Sequence, residues 1–226
     1  MHLFDLPQPS VPVVDSSSLF PVRRIYCIGR NYGKHVEEMG YDLNRSRPFY
    51  FSKPADAIVL SKGTVNYPPQ TEELHYEMEL VVAIGKAGRD IAVGKSYDHV
   101  FGYAAGIDMT RRDLQHGAKK TGQPWEMAKG FDQSAPISSI HPVSEIGHPS
   151  DARIWLSVNG EIRQDANINE LIWNVPQSIA ELSSFVQLRP GDLIYTGTPS
   201  GVGKVDKGDK LTGGIDGIGT IEVTIK

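Results

Sequence analysis

The sequence has little cysteine, no long apolar run and no long basic run, and each scarcity excludes a class of protein. Its one cysteine, Cys27, rules out an intramolecular disulfide and fits a reducing compartment. No window approaches the roughly 18 apolar residues of a membrane-spanning helix. The net charge is −4 and no long basic run exists, so nucleic acid is not an expected partner, and the lack of a long apolar window means that a membrane is not one either. The N-terminus lacks the pattern of a signal peptide, which leaves the cytoplasm as the expected location.

Glycine and proline are abundant, and they predict a chain with many turns. The 226 residues include 23 glycines and 15 prolines, so we expect a mainly β protein of the α+β class with a few short helices. Residues 1–22 read as an N-terminal arm and residues 23–226 as one domain. Apolar stretches predict strands at 23–29, 49–54, 57–61, 75–85, 98–110 and 190–197, and a hairpin at 152–164 that turns at Asn159-Gly160. Helices are predicted at 33–40, ending at Gly40, from a Thr110–Asp113 capping box onward, and at 175–186.

Two carboxylates stand side by side in the predicted strand at 75–85. Its apolar residues alternate along one face, and the other face opens with His75, Glu77 and Glu79. Neighbouring carboxylates repel each other, and burying one ionised carboxylate without a partner costs roughly several kcal/mol. A solvated face or a bound divalent cation would each remove this difficulty. Oxygen-only ligands favour Mg²⁺, Mn²⁺ or Ca²⁺ over Zn²⁺.

Further along, polar residues follow an apolar strand of small residues. Asp108 closes that strand, and Arg112 and Gln115 are three apart on the helix that begins next, so they share a face. That face could present a guanidinium and an amide to a ligand carboxylate, or it could be an ordinary surface. Lys129 follows an apolar stretch, where it needs an anion unless it is simply exposed.

A third group lies near the N-terminus. His35 and Glu38 are three apart on a predicted helix, where a carboxylate can orient an imidazole as a general base, although an exposed pair has the same spacing. The glycine-rich stretch 195–204 does not have the spacing of a phosphate-binding loop. A turn that presents backbone N–H groups and the Thr198 hydroxyl to a ligand explains it better.

Six ordered motifs together resemble the fumarylacetoacetate hydrolase superfamily, and its acylpyruvase branch in particular. They are GRNYGKHVEEM, FSKPADAIV, HYEMELVVAIG, GYAAGIDMTRRDLQ, PWEMAKGFDQSAPIS and TGTPSGVG. The resemblance covers residue 23 to the C-terminus and implies a mixed β-sandwich roll, a homodimer, a catalytic domain over 23–226, and Mg²⁺ or Mn²⁺. It implies the metal ligands Glu77, Glu79 and Asp108. Some longer relatives have a fourth acidic ligand before the histidine, and this chain has no acid between Arg23 and His35.

The resemblance also implies the remaining roles and the reaction. His35 and Glu38 would activate water on a lid, while Lys129, Arg112, Gln115 and Thr198 would line the substrate site. The expected reaction hydrolyses the C–C bond of a 2,4-diketo acid, with fumarylpyruvate of the gentisate pathway as the expected substrate. Its distal carboxylate needs a cation, for which the candidates are Arg30, Arg45, Arg47 and Arg111. Three alternatives stay open: oxaloacetate decarboxylation, isomerisation or hydration of a related dienoate, and a metal-stabilised binding protein without activity.

Overall fold

The computed structural model describes residues 3–38 and 47–226, most of them in or between short β-strands. The strands are β1 (Ser10–Pro12), β2 (Leu19–Pro21), β3 (Arg24–Gly29), β4 (Phe49–Lys53), β5 (Ile58–Leu60), β6 (Gly63–Val65), β7 (Leu74–Tyr76), β8 (Met78–Ile84), β9 (Val100–Ile107), β10 (Thr110–Arg111), β11 (Ala135–Ile137), β12 (His141–Pro142), β13 (Arg153–Val158), β14 (Glu161–Asn167), β15 (Asp192–Tyr195), β16 (Gly203–Lys204), β17 (Lys210–Ile215) and β18 (Gly219–Ile225). This mainly β content confirms the predicted fold class.

The helices are few and short. They are α1 (Gly33–Glu38), α2 (Arg112–Thr121), α3 (Glu126–Lys129), α4 (Val143–Ile146) and α5 (Val175–Phe185), with 3₁₀ turns at Ala55–Ala57, Val93–His99 and Ile168–Glu170. The α5 helix begins with a capping box in which Asn174 and Gln177 bond each other's backbone N–H groups. In the described ranges, no helix has the length and apolar character needed to cross a membrane.

Two sheets pack face to face and enclose the main core. The larger sheet has the order β4-β3-β15-β8-β9-β11-β5, with β12 also paired to β9, and the smaller has the order β14-β13-β17-β18-β6. Met78, Leu80, Val82 and Ile84 point from β8 into the core between them. The pairs β3–β15, β5–β11 and β6–β18 are parallel, whereas the other pairs in these two sheets are antiparallel. The result is a mixed β-sandwich, as the resemblance implied.

A second apolar cluster covers the outer face of the larger sheet. Val81 and Ala83 of β8 point into it, and the N-terminal segment supplies Val11 and Phe20 from the paired strands β1 and β2. Both faces of β8 are therefore buried, including the face that opens with His75, Glu77 and Glu79 in the sequence. Cys27 lies in this cluster with no exposed surface, and burial raises the pKa of its thiol well above the ordinary value. It is a structural thiol in this environment.

The predicted strand at 75–85 is in fact two strands in two sheets. It breaks at Glu77, where β7 leaves for a three-stranded sheet of order β10-β7-β16 and β8 stays in the larger sheet. The neighbouring strand is interrupted at the same level, between β9 and β10. There the Asp108 N–H donates to the Glu77 carbonyl at 2.8 Å. We call this double break, formed by Glu77, Asp108 and Met109, the seam. Period-2 alternation continues across it, so the sequence pattern does not reveal it.

One predicted helix cap is wrong, and two residues named in the sequence interpretation are not described by the structure. The Thr110–Asp113 capping box is wrong, because α2 begins after Arg111 without a side-chain cap. Asp113 instead accepts hydrogen bonds from the Thr71 hydroxyl and the Glu72 N–H, at 2.6 and 2.9 Å, and so fastens the loop before β7. Gly40 and Arg45 lie outside the described residues.

Candidate metal centre and active site

One cavity collects nearly all the predicted site residues. Its wall includes Ile28, Gly29, Arg30, His35, Phe51, Glu77, Glu79, Arg112, Gln115, Lys119, Trp125, Lys129 and Thr198. Of the ten predicted residues, Asp108 lies fully buried next to this wall, and Glu38 lies one contact away through His35. The structure therefore brings the predicted set together around a single space.

Three carboxylates meet at the inner end of this cavity. Glu77, Glu79 and Asp108 each offer an oxygen within 4.8 Å of the other two. All three side chains are buried, with exposures of 5%, 1% and 0%. The solvated face considered for Glu77 and Glu79 is therefore wrong. Their proximity follows from the seam, since the two chain breaks place Glu77 beside Asp108.

Cationic side chains neutralise two of these carboxylates. Glu77 accepts from the Arg112 guanidinium at 2.5 Å and from Lys129 Nζ at 2.8 Å. Burial disfavours its charge, but Lys129 and Arg112 outweigh burial and hold the pKa of Glu77 far below the ordinary value. Asp108 lies 2.7 Å from Lys129 Nζ through one oxygen and 2.8 Å from Lys53 Nζ through the other.

The third carboxylate has a different environment. Glu79 accepts a hydrogen bond from the Gly197 N–H at 2.7 Å, and within the described residues no cationic side chain forms an ion pair with it. Burial, Asp108 and Glu77 raise its pKa well above the ordinary value. Gly197 can direct its amide here because its φ is +100°, and an added Cβ would lie 2.8 Å from the Asn31 Cβ. Glu79 is thus a buried acid that still needs a counter-charge.

These residues fit a hard divalent cation. The donors are all carboxylate oxygens, which suit Mg²⁺ or Mn²⁺. Among the described residues, Glu79 has no ionic partner, and the buried Oδ1 of Asp108 accepts no hydrogen bond although Lys53 Nζ lies 2.8 Å from it. A cation bound by the three carboxylates would satisfy both groups and would offset the repulsion that raises the pKa of Glu79.

Lys129 lies inside the carboxylate cluster. Its ammonium donates to Glu77, Asp108 and the Thr110 hydroxyl, at 2.8, 2.7 and 2.7 Å, which uses its three protons. Burial lowers its pKa, but Asp108 and Glu77 outweigh burial and raise it. The anion that its apolar context required is therefore this carboxylate pair. Stabilisation of an oxyanion by Lys129 stays a prediction, and it requires one of these hydrogen bonds to be exchanged.

Arg112 and Gln115 share a helix face, as their spacing predicts. Arg112 donates to the Gln115 side-chain oxygen at 2.7 Å, to Glu77 and, at 3.4 Å, to His75 Nδ1. Burial and the Arg112 charge lower the pKa of His75 to about 4, so this ring is neutral and can accept. The guanidinium is thereby held beside the cavity. Carboxylate binding by Arg112 and Gln115 stays a prediction.

His35 and Glu38 form a pair at the cavity mouth. Glu38 Oε2 lies 3.1 Å from His35 Nδ1, and both Glu38 oxygens accept from the Gly201 N–H, the nearer at 3.1 Å. Burial raises the pKa of Glu38, but its hydrogen bonds to His35 and Gly201 outweigh burial, so the pKa lies below its ordinary value. Gly201 has φ +95°, and an added Cβ would lie 2.1 Å from the Arg163 carbonyl oxygen. The glycine therefore allows its amide to reach Glu38. Because Glu38 contacts His35 through Nδ1, the other ring nitrogen, Nε2, can contact water or a substrate.

Buried amides join this mouth to the rest of the site. Asn31 bonds the Thr196 and Trp173 carbonyls at 2.8 and 2.9 Å, which fixes the turn before α1. Thr198 accepts from Gln164 Nε2 at 2.8 Å and lines the cavity with its hydroxyl-bearing side chain. A glycine-rich turn that delivers Thr198 and backbone N–H groups was the sequence interpretation of this stretch.

Two lysines of this region were missed by the sequence interpretation. Lys53 has a side chain with no exposed surface, and its ammonium donates to the carbonyls of Met109 and Lys129 beside Asp108. Strand alternation cannot identify it, because it ends an edge strand of mixed burial. Lys119 lines the cavity and could have been found, since it continues the i, i+3, i+7 face begun by Arg112 and Gln115.

Comparison with known proteins gives concordant matches. The family model described as fumarylacetoacetate (FAA) hydrolase C-terminal matches residues 24–226. A fumarylpyruvate hydrolase of a Ralstonia species is 47% identical over 189 residues, 83% of this chain and 98% of the relative. The mitochondrial oxaloacetate tautomerase FAHD1 of Mus musculus is 41% identical over 204 residues, 90% of this chain and 92% of the relative.

A solved structure matches over the whole chain. It is fumarylpyruvate hydrolase from Pseudomonas aeruginosa in complex with Mn²⁺ and pyruvate, which superposes with a TM-score of 0.98 at 50% identity. The match covers 100% of this chain and 99% of that one. The similarity therefore includes the N-terminal segment as well as the region that the family model matches.

Proposed function

The chain belongs to the fumarylacetoacetate hydrolase family and is a hydrolase that acts on carbon–carbon bonds; we propose that its substrate is an acylpyruvate, with fumarylpyruvate preferred. The similarity to two fumarylpyruvate hydrolases supports this substrate. One observation carries the proposal: a buried cluster of three carboxylates and the His35–Glu38 pair border the same cavity. The first can hold a cation and the second can activate water.

The proposed cofactor is Mg²⁺ or Mn²⁺, held by Glu77, Glu79 and Asp108. Bound there, the cation would supply Lewis-acid stabilisation of the negative charge that develops on the pyruvate half. The ion pairs support this cofactor, because Lys53, Lys129 and Arg112 pair with Asp108 and Glu77 and, among the described residues, leave Glu79 without a cation. An added dication leaves the inner end positive and attractive to an anionic diketo acid.

The protein's own residues would handle the proton. With Nδ1 held by Glu38, the Nε2 of His35 takes a proton from water, and the hydroxide attacks the C4 carbonyl carbon. The C3–C4 bond then breaks, its electron pair stays on C3, and the protonated His35 returns a proton there. Fumarylpyruvate and water thus give fumarate and pyruvate. Arg112, Gln115 and Thr198 would orient the substrate from the cavity wall.

A second candidate reaction uses oxaloacetate. Similarity to an oxaloacetate tautomerase supports oxaloacetate as a ligand of this cavity. Decarboxylation of oxaloacetate would need the same enolate stabilisation but no attack by water. Isomerisation or hydration of a dienoate stays a weaker alternative, since it gives no role to a water-activating pair. Homodimer formation, a place in gentisate breakdown and cytoplasmic location stay predictions.

A spectroscopic assay tests the proposed function. Purified protein is loaded with Mg²⁺ or Mn²⁺ and assayed with one substrate at a time: fumarylpyruvate, maleylpyruvate, acetylpyruvate or oxaloacetate. The enol absorbance of the substrate is followed in each assay. We expect the fastest loss with fumarylpyruvate, formation of pyruvate, and inhibition by a chelator that added metal reverses. If acylpyruvates persist while oxaloacetate releases carbon dioxide, the decarboxylase candidate replaces the hydrolase. Turnover that survives chelation would refute the metal.

A further inference from the structure

We propose that Lys119, together with Arg30, binds the second carboxylate of a dicarboxylic acylpyruvate and thereby selects acyl groups that end in a carboxylate. This inference rests on the proposed function and adds a specificity subsite to it. Neither the general reaction nor the carboxylate cluster requires such a subsite, because an acylpyruvate with a neutral acyl group would undergo the same cleavage.

The placement of Lys119 on α2 directs it into the cavity. Arg112, Gln115 and Lys119 lie at positions i, i+3 and i+7 of one helix, and all three line the cavity. Lys119 is partly buried, whereas the next residue, Lys120, is exposed. The face that holds Arg112 near the carboxylates therefore carries a second cation about two helical turns further along α2.

An aromatic wall connects the inner end of the cavity to Lys119. Lys129 Nζ lies 5.0 Å from the centre of the Phe51 ring, and the Phe51 and Trp125 rings are 6.0 Å apart. At the other end of this wall, Lys119 Nζ lies 5.1 Å from the centre of the Trp125 ring. A flat, conjugated acyl chain would lie against these rings, with its far end near Lys119.

Arg30 adds to the positive charge at this end. Its backbone has φ +61°, an uncommon conformation for a residue with a side chain, and the residue lines the cavity directly after Gly29. Burial and the charges of Arg112 and Arg30 lower the pKa of Lys119 to about 8. Cations held near one another in a partly buried space favour the binding of an anion.

The other cations considered for the distal carboxylate have different surroundings. Arg47 pairs with Glu181 at 2.9 Å. Arg111 lies over the Phe131 ring, with its guanidinium carbon 4.6 Å from the ring centre, and donates to the Met127 carbonyl. Neither residue is part of the cavity wall. Position in the cavity wall alone therefore ranks Arg30 and Lys119 above them.

Paired substrates test the subsite directly. Wild type, Lys119→Met, Lys119→Arg and the matched surface control Lys120→Met are assayed with fumarylpyruvate and with acetylpyruvate, which lacks the second carboxylate. We expect Lys119→Met to lower kcat/KM for fumarylpyruvate by about 10- to 100-fold, mainly through KM, as expected for loss of a charged hydrogen bond. Acetylpyruvate turnover should change less than about threefold. Lys119→Arg should restore most of the fumarylpyruvate activity, and Lys120→Met should match wild type.

The outcomes separate this proposal from the proposed function. Equal losses on both substrates, or unchanged fumarylpyruvate kinetics in Lys119→Met, would overturn the subsite while acylpyruvate hydrolysis stands. Failure of Lys119→Arg to recover selectivity, with Lys120→Met normal, would likewise overturn the role of the charge. If wild type hydrolyses neither acylpyruvate, the proposed function fails and the subsite fails with it.

Discussion

The inner and outer ends of the cavity are built from different kinds of structure. Glu77, Glu79 and Asp108 lie in or beside the long strands β8 and β9, which are almost entirely buried and have ladder hydrogen bonds on both sides. His35 and Lys119, at the outer end, lie on the helices α1 and α2, where the neighbouring residues Lys34 and Lys120 are exposed. Concentrated charge requires a backbone that cannot relax, whereas proton transfer and substrate selection need groups that a substrate can reach. The two ends should therefore respond differently to mutation.

The largest effect is expected from removing an inner carboxylate. Glu77→Ala removes one ligand of the cation. It also leaves Arg112 and Lys129 without their shared partner, so their positive charges would repel the cation. We expect affinity for Mn²⁺, measured by calorimetry, to fall by more than the roughly 10- to 100-fold typical of residues that only support a ligand. Hydrolysis should fall to background. Glu73→Ala, an exposed acid nearby, is the control, and full metal occupancy in Glu77→Ala would remove Glu77 from the site.

A smaller and more selective effect is expected at the outer end. His35→Ala removes the proposed base without touching the carboxylates, so kcat for fumarylpyruvate hydrolysis should fall by about 10²- to 10⁴-fold. Metal affinity should stay within about twofold of wild type, because a base acts on water and need not bind the cation. Any oxaloacetate decarboxylation should survive. Loss of the metal in this variant, with the exposed His116→Ala control normal, would place His35 among the ligands and remove the contrast between the two ends.

The smallest effect concerns stability and pH. Hydrogen bonds from His35 and Gly201 give Glu38 a lowered pKa in the folded state, despite the opposing effect of burial. Its stabilising contribution is therefore present above its ordinary pKa of about 4.5 and disappears as the pH falls through the lowered folded value. Because about a third of the Glu38 side chain (35%) is exposed to solvent, which screens its charge, Glu38→Gln should cost about 1 kcal/mol or less at pH 7.

Urea unfolding of wild type and Glu38→Gln between pH 7 and pH 3 would measure this contribution. We expect the difference in unfolding free energy to shrink steadily towards the acid end. A difference that is constant across this range would mean that the ionised carboxylate of Glu38 contributes nothing to the folded state.

Local spacing revealed only part of the inner end, and the grouping of Glu77, Glu79 and Asp108 as metal ligands came from the resemblance to the family. Period-2 spacing puts Glu77 and Glu79 on one face, and the placement of Asp108 after an apolar strand marks a strand end. Helical spacing likewise placed Arg112 and Gln115 together. What the sequence could not reveal is the seam, because exchange of strands between sheets depends on pairing partners far along the chain and leaves the alternation intact.

Other misses have equally physical reasons. The Thr110–Asp113 spacing fits a cap, but the Asp113 carboxylate reaches Thr71 and Glu72 across the fold, a contact that local spacing cannot anticipate. Lys53 is buried only because Asp108 and two backbone carbonyls surround it after folding. Lys119, in contrast, was within reach, since the helical periodicity that identified Arg112 also includes it.

The seam has a consequence for the persistence of the protein in a cell. Glu77 and Asp108 connect the three-stranded sheet to the larger one, so an ion bound by both would cross-link the two sheets at this junction. Ligand that binds only the folded form raises unfolding free energy by about 2.7 kcal/mol at 100 times its dissociation constant. Scarcity of the metal would then increase the unfolded fraction exposed to proteases, and starved cells would lose molecules as well as turnover.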